Sequence, residues 1–172
     1  DALNRLTSAI GSYGTLGYTY DGVGNRLTQT FNSVNGSITE TYALDPLSNR
    51  LLTVTKGSQT RTFTYTATGN VKTDVTSPGT TTSFTYNNAN RLKQVVSQGV
   101  TADYIYNALG QRVKKVLTSA GAVIATERYI YDLEGNLLAV LDDAGTAIQE
   151  YVYLDGTAVA LLADPTKTAD AD

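Results

Sequence analysis

The amino-acid sequence predicts an all-β fold, an antiparallel meander of tandem β-hairpins that together form a curved or spiral sheet. Three observations lead to this prediction. Pairs of aromatic residues recur along the chain, a short turn rich in Asp, Asn and Gly follows most pairs, and the segments between turns are dense in Thr, Val, Ile and Tyr. β-Branched and aromatic residues favour extended backbone, and the turn residues favour reversal of the chain.

The aromatic pairs define an internal repeat. Seven copies of an aromatic-x-aromatic unit occur, and in the second copy Leu44 takes the place of the second aromatic residue. Measured at that second position, the copies are 24, 21, 21, 20, 25 and 22 residues apart. Because 13 of the 15 aromatic residues stand at these positions, the spacing reflects a repeat rather than chance. The aromatic anchors are Tyr18, Tyr20, Tyr42, Phe63, Tyr65, Phe84, Tyr86, Tyr104, Tyr106, Tyr129, Tyr131, Tyr151 and Tyr153.

A turn and the start of a new strand form the second half of each unit. The fullest version runs from Asp21 to Leu27 with the sequence Asp-Gly-Val-Gly-Asn-Arg-Leu, and a partial copy opens the chain at Asp1. Asp or Asn at the start of a turn accepts hydrogen bonds from backbone N–H groups ahead of it, while Gly and Asn near the end tolerate positive φ. Such short connections predict hairpins. The turn anchors are Asp21, Gly24, Asn25, Arg26, Asp45, Arg50, Arg91, Arg112 and Asp132.

Each repeat is predicted to hold two strands, because a second class of turn, such as Asn35-Gly36-Ser37, lies between consecutive copies. Seven repeats then give about 14 strands, and the absence of a sustained helical period predicts essentially no helix. Since side chains alternate along a strand, both aromatic residues of a pair point to one face. The opposite column turns from polar to apolar along the chain, which predicts deeper burial of the C-terminal third. This column comprises Thr19, Ala43, Thr64, Thr85, Ile105, Ile130 and Val152.

The repeats form one array over residues 1–163, of about seven units. Residues 164–172 are a polar tail for which we expect disorder. The chain begins at Asp1 rather than Met, so we expect it to be an excised piece of a longer protein.

Composition argues against several classes of function. The 13 basic residues are spread singly apart from one adjacent pair and are outnumbered by 16 acidic ones, so we expect no nucleic-acid partner. The longest apolar runs are far shorter than the roughly 20 residues of a membrane-spanning helix. The chain has no Cys and no His, which excludes disulfides and thiol or imidazole chemistry. We expect neither enzymatic activity nor a cofactor.

The remaining candidate sites have a structural interpretation beside each functional one. Asp142-Asp143 is the only adjacent acidic pair, and it precedes a turn Gly, so we interpret it as a solvated turn. The recurring turn Asp offers one carboxylate per copy, whereas a calcium loop needs several oxygen ligands, so we predict no metal site. Tyrosine faces can stack on sugar rings, which makes Tyr106 and Tyr131 candidate glycan contacts; cross-strand aromatic packing is the favoured interpretation. We expect the recurring arginines to pair with turn Asp or Asn side chains or with neighbouring carbonyls.

The unit Tyr-x-Tyr-Asp-x-x-Gly-Asn-Arg-Leu, at this spacing and over nearly the whole chain, resembles the YD repeat of the rearrangement-hotspot (Rhs) family. That family includes bacterial polymorphic toxins and the B and C components of insecticidal toxin complexes, and the animal teneurins carry related repeats. The resemblance implies a spiral β-sheet wound into a hollow shell, which in the toxins encloses a C-terminal effector. The family's self-cleaving aspartate segment and its His-containing plug motif do not occur in this sequence.

The leading hypothesis is therefore a non-catalytic structural segment of an Rhs/YD-repeat shell that encapsulates a C-terminal toxin or other polypeptide cargo. The expected partners are the flanking repeats and the enclosed cargo of the same polypeptide, with self-association through free sheet edges as a further contact. The resemblance implies a bacterial protein that is secreted or delivered at the cell surface. The alternative is an adhesive module that binds surface glycans or a protein partner, and a hydrolase is the third hypothesis.

Overall fold

The computed structural model describes residues 1–163, which form strands and turns and no helix. The tail at 164–172, for which we expected disorder, lies outside the described residues. The all-β prediction is confirmed, with one strand more than predicted. The strands are β1 (Ser8–Gly11), β2 (Gly14–Tyr20), β3 (Arg26–Ser33), β4 (Gly36–Leu44), β5 (Leu51–Lys56), β6 (Gln59–Tyr65), β7 (Val71–Ser77), β8 (Thr81–Tyr86), β9 (Leu92–Ser97), β10 (Val100–Tyr106), β11 (Arg112–Ser119), β12 (Ala122–Tyr131), β13 (Leu137–Leu141), β14 (Ala147–Leu154) and β15 (Thr157–Ala163).

The chain divides into two compact units, Asp1–Ser83 and Phe84–Asp172. In the first unit β1 to β7 and the first half of β8 lie side by side in chain order, and in the second β9 to β15 do the same. The pairing is antiparallel, so hairpin connections suffice. This confirms the predicted meander. Residues 1–163 contain no helix of the length and apolarity that a membrane span requires.

A β-bulge precedes the second aromatic position of the repeat. Thr19 pairs with Thr28 but Tyr20 pairs with Arg26, which leaves Leu27 as the extra residue of the partner strand. A bulge bends its strand and re-aims the neighbouring side chains. The sequence alone did not predict this feature. The same shift occurs before Leu44, Tyr65, Tyr106, Tyr131 and Tyr153.

The two faces of the sheet differ in exposure. The aromatic anchors are half-buried or buried, and we call their side of the sheet the tyrosine face. All seven residues of the opposite column are exposed. The apolar members of that column, Ile105, Ile130 and Val152, remain 49%, 44% and 45% exposed, so this column is not the source of the deeper burial predicted for the C-terminal third. Among the described residues no second layer packs on this face.

Burial in the C-terminal part arises on the tyrosine face instead. The buried side chains of residues 1–163 all lie between Ala102 and Ile148. Tyr129, Val140 and Ile148 form their apolar cluster, and Tyr129 and Val140 are directly paired across β12 and β13. Large rings packed beside each other on one face therefore replace the second layer that most domains use.

An ion pair also lies in this buried part of the second unit. Lys115 and Glu127 are opposite each other in the register of β11 and β12, and Lys115 Nζ lies 3.6 Å from Glu127 Oε1. The Tyr129 hydroxyl donates a hydrogen bond to the other carboxylate oxygen. Removing water from two charges is costly, and their attraction offsets that cost only while both are present. Loss of one partner is therefore more damaging here than at the surface.

We predict that Glu127→Gln lowers the free energy of unfolding by about 3 kcal/mol, because it removes the carboxylate that faces the buried Lys115 ammonium. Arg128→Gln is the matched control on the same strand. It removes the exposed pair between Arg128 and Asp143, 2.8 Å apart, and should cost less than about 1 kcal/mol. Urea unfolding followed by circular dichroism measures both. Equal losses would show that the pair adds nothing beyond a surface ion pair.

Candidate functional site

The repeat junction, where one repeat meets the next, is the recurrent site of this protein. It is built from the turn, the two aromatic residues and the arginine of the unit. In the turn, Asp21 Oδ1 accepts hydrogen bonds from the backbone N–H groups of Val23 and Asn25 at 3.0 and 2.8 Å. The Asn25 carboxamide donates to Asp21 Oδ2 at 2.9 Å, and the Asn25 carbonyl accepts from the Asp21 N–H at 2.9 Å. Gly24 has a φ of 101°, the left-handed region that a side chain disfavours.

Other copies build the same turn with different residues. The Asn136 carboxamide and N–H bind the Asp132 carboxylate at 2.8 and 2.7 Å. Asn87 and Asn107 use a carboxamide oxygen in place of the carboxylate. The hydrogen bond from the Asn136 side chain, followed by those from backbone N–H groups, lowers the pKa of Asp132, and Asn25 does the same to the pKa of Asp21. The Asp or Asn at the start of each of these turns accepts hydrogen bonds from backbone N–H groups, as predicted.

In five copies the second tyrosine donates a hydrogen bond to the repeat before it. The Tyr20 hydroxyl donates a hydrogen bond to the carbonyl of Leu6 at 2.7 Å, and Leu6 lies at the end of the partial repeat that opens the chain. The distance across the sequence is 14 residues, so this contact joins two successive repeats. We call it the tyrosine latch. It recurs from Tyr65 to Leu51, from Tyr106 to Leu92, from Tyr131 to Arg112 and from Tyr153 to Leu137, at 2.6 to 3.1 Å.

In three copies the first tyrosine donates to an acceptor two residues earlier on its own strand. The Tyr42 hydroxyl donates to Glu40 Oε2 at 2.7 Å, and Glu40 Oε1 accepts from Lys56 Nζ at 2.8 Å. The hydrogen bond from Lys56 and then that from Tyr42 lower the pKa of Glu40. Burial, and after it the bond to Glu40, raises the pKa of Tyr42. Tyr129 repeats the arrangement with Glu127, and Tyr151 donates to Gln149 Oε1 at 3.0 Å.

Phenylalanine takes the first aromatic position in two copies, at Phe63 and Phe84. Phe63 has Arg61 two residues before it, and the Arg61 guanidinium lies 5.0 Å from the ring centre. Arg61 is also paired with Asp74 on the neighbouring strand, which raises the pKa of Arg61. Phe84 and Tyr86 are both half-buried, and burial raises the pKa of Tyr86.

The arginines of the unit lie over tyrosine rings, partners that the sequence analysis did not predict. Arg26 lies 4.5 Å from the ring centre of Tyr42 in the next repeat and 5.9 Å from that of Tyr18 in its own. Arg112 is placed in the same way between Tyr129 and Tyr104, at 4.5 and 5.5 Å. A guanidinium over an aromatic face contributes about 0.5 to 1 kcal/mol at exposed sites. The arginines therefore add to the bonding between repeats.

Tyr106 and Tyr131, the candidate glycan contacts, both take part in latches. Each donates its hydroxyl to a backbone carbonyl, and both rings are half-buried. Burial raises the pKa of Tyr131, which packs against the cluster around Tyr129. A sugar would have to displace these contacts, so the geometry favours the packing interpretation.

The junctions offer contacts rather than reactive groups. Nothing in the part of the chain that the structure describes brings three carboxylates together in a way that could hold a metal ion. A groove of about 650 Å³ lies between the turns at Asp21 and Asp45. Asp142 and Asp143 lie in a turn between β13 and β14, where Asp142 Oδ1 accepts from the Thr146 N–H at 2.8 Å and Asp143 pairs with Arg128.

Comparison with known proteins gives one family and a set of similar structures. The family model of the teneurin YD-shell matches residues 4–156. No curated protein sequence matches the chain. The crystal structure of TcdB2-TccC3 superposes with a TM-score of 0.67 at 16% identity, over 87% of this chain and 9% of that one. The Tc holotoxin pore of Photorhabdus luminescens gives the same values, and TcdB2-TccC3-Cdc42 gives 0.66 at 17% identity with the same coverage.

At this identity the similar structures establish the fold alone. The chain spans about one tenth of the length of each of them.

We predict that Tyr106→Phe lowers the free energy of unfolding by about 1 kcal/mol, because it keeps the ring and removes the bond to Leu92. Tyr13→Phe is the control, since Tyr13 is an exposed tyrosine outside the repeats and its hydroxyl can be lost at little cost. Chemical denaturation of both variants and of the unmodified chain measures the difference. If Tyr106→Phe is no less stable than Tyr13→Phe, the latch does not stabilise the fold.

The turn aspartates link folding to pH. The pKa of Asp132 is lower in the folded chain, so its ionised form stabilises the fold above the unfolded pKa of about 4. That contribution is lost as the pH falls through the folded pKa. Asp132→Asn should therefore flatten the decline of the free energy of unfolding below about pH 4, with the turn kept, since Asn87 and Asn107 stand at this position in other copies.

Asp155→Asn is the matched control for this experiment. Asp155 stands in a two-residue turn at a φ of 49°, which Asn also adopts readily. Urea titrations between about pH 7 and pH 2 give the slopes. The same flattening in both variants would assign the effect to net charge and not to the turn bonds of Asp132.

Proposed function

This chain belongs to the teneurin YD-shell family, and on that premise we propose that it is a non-catalytic wall segment of a YD-repeat shell that encapsulates a polypeptide. The cargo is a C-terminal toxin or another polypeptide of the same protein. The similarity to the Tc holotoxin of Photorhabdus luminescens supports the relation to toxin complexes.

The tyrosine latch is the observation that carries this proposal. A wall that encloses a polypeptide must have no gaps and must hold without disulfides, since the chain has no Cys. Within each unit every strand is hydrogen-bonded to its neighbours, and latches such as those of Tyr65 and Tyr106 add a side-chain bond between successive repeats. Such a sheet extends by adding repeats that each contact their neighbours.

The proposal includes the absence of catalysis by this segment. The tyrosine hydroxyls and turn carboxylates are used in bonds that hold the fold, and the family is structural. Imidazole and thiol groups are missing from the sequence. The activity of the whole protein would then belong to other parts of a polypeptide of which this chain is a segment.

The partners we propose follow from the same relation. Flanking repeats of the same polypeptide extend the sheet, and the enclosed segment contacts its inner surface. The toxin relation further suggests that the protein is secreted or delivered outside the cell that makes it. The adhesive alternative is not favoured, because the hydroxyls of the two candidate glycan contacts, Tyr106 and Tyr131, are donated to backbone carbonyls.

Limited proteolysis of the parent polypeptide tests the proposal. We expect the segment C-terminal to the repeat array to resist an added protease while the shell is folded. Replacing Tyr106 and Tyr131 by Ala removes two latches and should expose that segment to cleavage. Ile105→Ala with Ile130→Ala is the matched control, since these residues are exposed on the opposite face of the same strands.

Mass spectrometry of the digest at successive times gives the rates. Rapid cleavage of the C-terminal segment in the unmodified protein would contradict encapsulation. Cleavage that is equally fast in the two double variants would contradict a specific role of the latches in closing the wall.

A further inference from the structure

One junction of the first unit leaves open a space that others fill. The groove between the turns at Asp21 and Asp45 has a volume of about 650 Å³ and lies open to solvent. It is lined by Asp21, Val23, Asn25, Leu27, Tyr42, Ala43, Leu44, Asp45, Pro46, Leu47, Ser48 and Asn49.

Where an arginine closes a turn, it reaches into the next repeat. We call the last residue of a turn the turn-closing residue; its carbonyl accepts a hydrogen bond from the nitrogen of the first residue of the turn. The turn-closing residue is an arginine in three copies, Arg5, Arg50 and Arg91. The Arg5 guanidinium lies 4.8 Å from the ring centre of Tyr20, and its Nη1 donates to the Asp21 carbonyl at 2.9 Å. Arg50 lies 5.5 Å from the ring centre of Tyr65.

Glycine in the next turn makes room for such an arginine. A methyl group on Gly110 would overlap the guanidinium of Arg91. A methyl group on Gly69 would lie 3.5 Å from Arg50 Nη2. At these two junctions a guanidinium and a glycine therefore occupy matched positions on successive turns.

The junction with the groove departs from this pattern in three ways. Its turn-closing residue is Asn25, which reaches only as far as Asn49, with 3.0 Å between Nδ2 and Oδ1. Leu44 stands in place of the second tyrosine, and Ser48 stands in place of the glycine. The three changes remove the guanidinium and the ring that fill the corresponding space elsewhere.

The arginine that follows Asn25 does not fill the space. Arg26 Nη1 donates to Gln29 Oε1 at 3.0 Å, and its guanidinium lies over the rings of Tyr42 and Tyr18. The groove is therefore the space that a turn-closing arginine fills at other junctions and that no arginine fills here.

The chemistry of the groove suits the missing group. The carboxylates of Asp21 and Asp45 line it, and bonds from Asn25 and from backbone N–H groups stabilise the charged form of Asp21. Asp45 Oδ1 accepts the Leu47 N–H at 2.9 Å, and this is the only bond to that carboxylate in the described part of the chain. Val23 and Leu47 flank the groove as exposed apolar side chains that can cover the methylene stem of an arginine.

We propose that this groove binds the arginine side chain of a partner polypeptide, with the guanidinium at Asp45 in the position that Arg5 takes at Asp21. Planar carboxylate and carbonyl acceptors match the fork of a guanidinium better than the single ammonium of lysine. An arginine side chain can enter because the groove is open to solvent. The aromatic rings here are already covered by Arg26, so a neutral sugar would find no free platform.

The test titrates a peptide, acetyl-Gly-Arg-Gly-amide, into the complete chain and follows backbone amide chemical shifts by NMR. We expect saturating shifts at Asp45, Leu47 and Asn49 that weaken as salt is added. The same peptide with citrulline has the shape of arginine without its charge, and it should cause no saturating shift. A lysine peptide that binds as tightly as the arginine peptide would overturn the guanidinium assignment, and equal shifts with citrulline would overturn the proposal.

Two variants place the site. Asn25→Arg supplies a turn-closing arginine of the kind present at Arg5 and Arg91, which should fill the groove from within and abolish peptide binding. Arg91→Asn is the control: it vacates the space beside Gly110, where Asn107 stands in place of the turn Asp and offers no carboxylate, so no second set of saturating shifts should appear there. The circular dichroism of each variant checks the fold. Peptide binding that persists in a folded Asn25→Arg chain would overturn the placement.

Discussion

The fold depends on the hydrogen bond from the second tyrosine of one repeat to a backbone carbonyl of the repeat before it. A sheet with one layer cannot bury side chains against a second layer, so it must be stabilised by contacts between neighbours within the sheet. The Tyr106 hydroxyl, for example, reaches the carbonyl of Leu92 at 2.7 Å, and Val113 forms a bulge in the neighbouring strand beside it. Backbone pairing, latch and stacked arginine thus act at the same junction. Each of these contacts contributes modestly to stability, and because they recur in successive repeats, their contributions add up along the chain.

The differences between repeats are as informative as their similarities. At the first aromatic position, three tyrosines donate to an acceptor two residues earlier, Glu40, Glu127 or Gln149, whereas Phe63 lies beside the guanidinium of Arg61. Asn replaces Asp in turns where a carboxamide oxygen serves as well. Such exchanges preserve one geometry with different chemistry. At the junction of Asn25 and Ser48 the exchange does not restore the contact, and a groove results.

The contacts between repeats agree with the proposed role of the chain as a segment of a shell wall. In the wall that we propose, the segment must extend without a gap. The tyrosine face meets this requirement through the latches, which bond successive repeats within the sheet. The vacant arginine position at Asp45 is a local departure from that rule, which makes it a point where a partner polypeptide could be held.

The sequence by itself determined the repeat, its two strands and two turns, and the acceptor role of residues such as Asp21 and Asp132, because these depend on local backbone preference and on spacing. The family resemblance drawn from the same residues was also confirmed. The alternation of side chains along a strand correctly placed both tyrosines of a pair on one face. It did not predict which face is buried, since Ile105 and Ile130 are apolar but exposed. Only the tertiary structure decided the bulge, the latch and the arginine stacking. Each of these joins residues of different strands or repeats, and their partners depend on register, which no single stretch of sequence specifies.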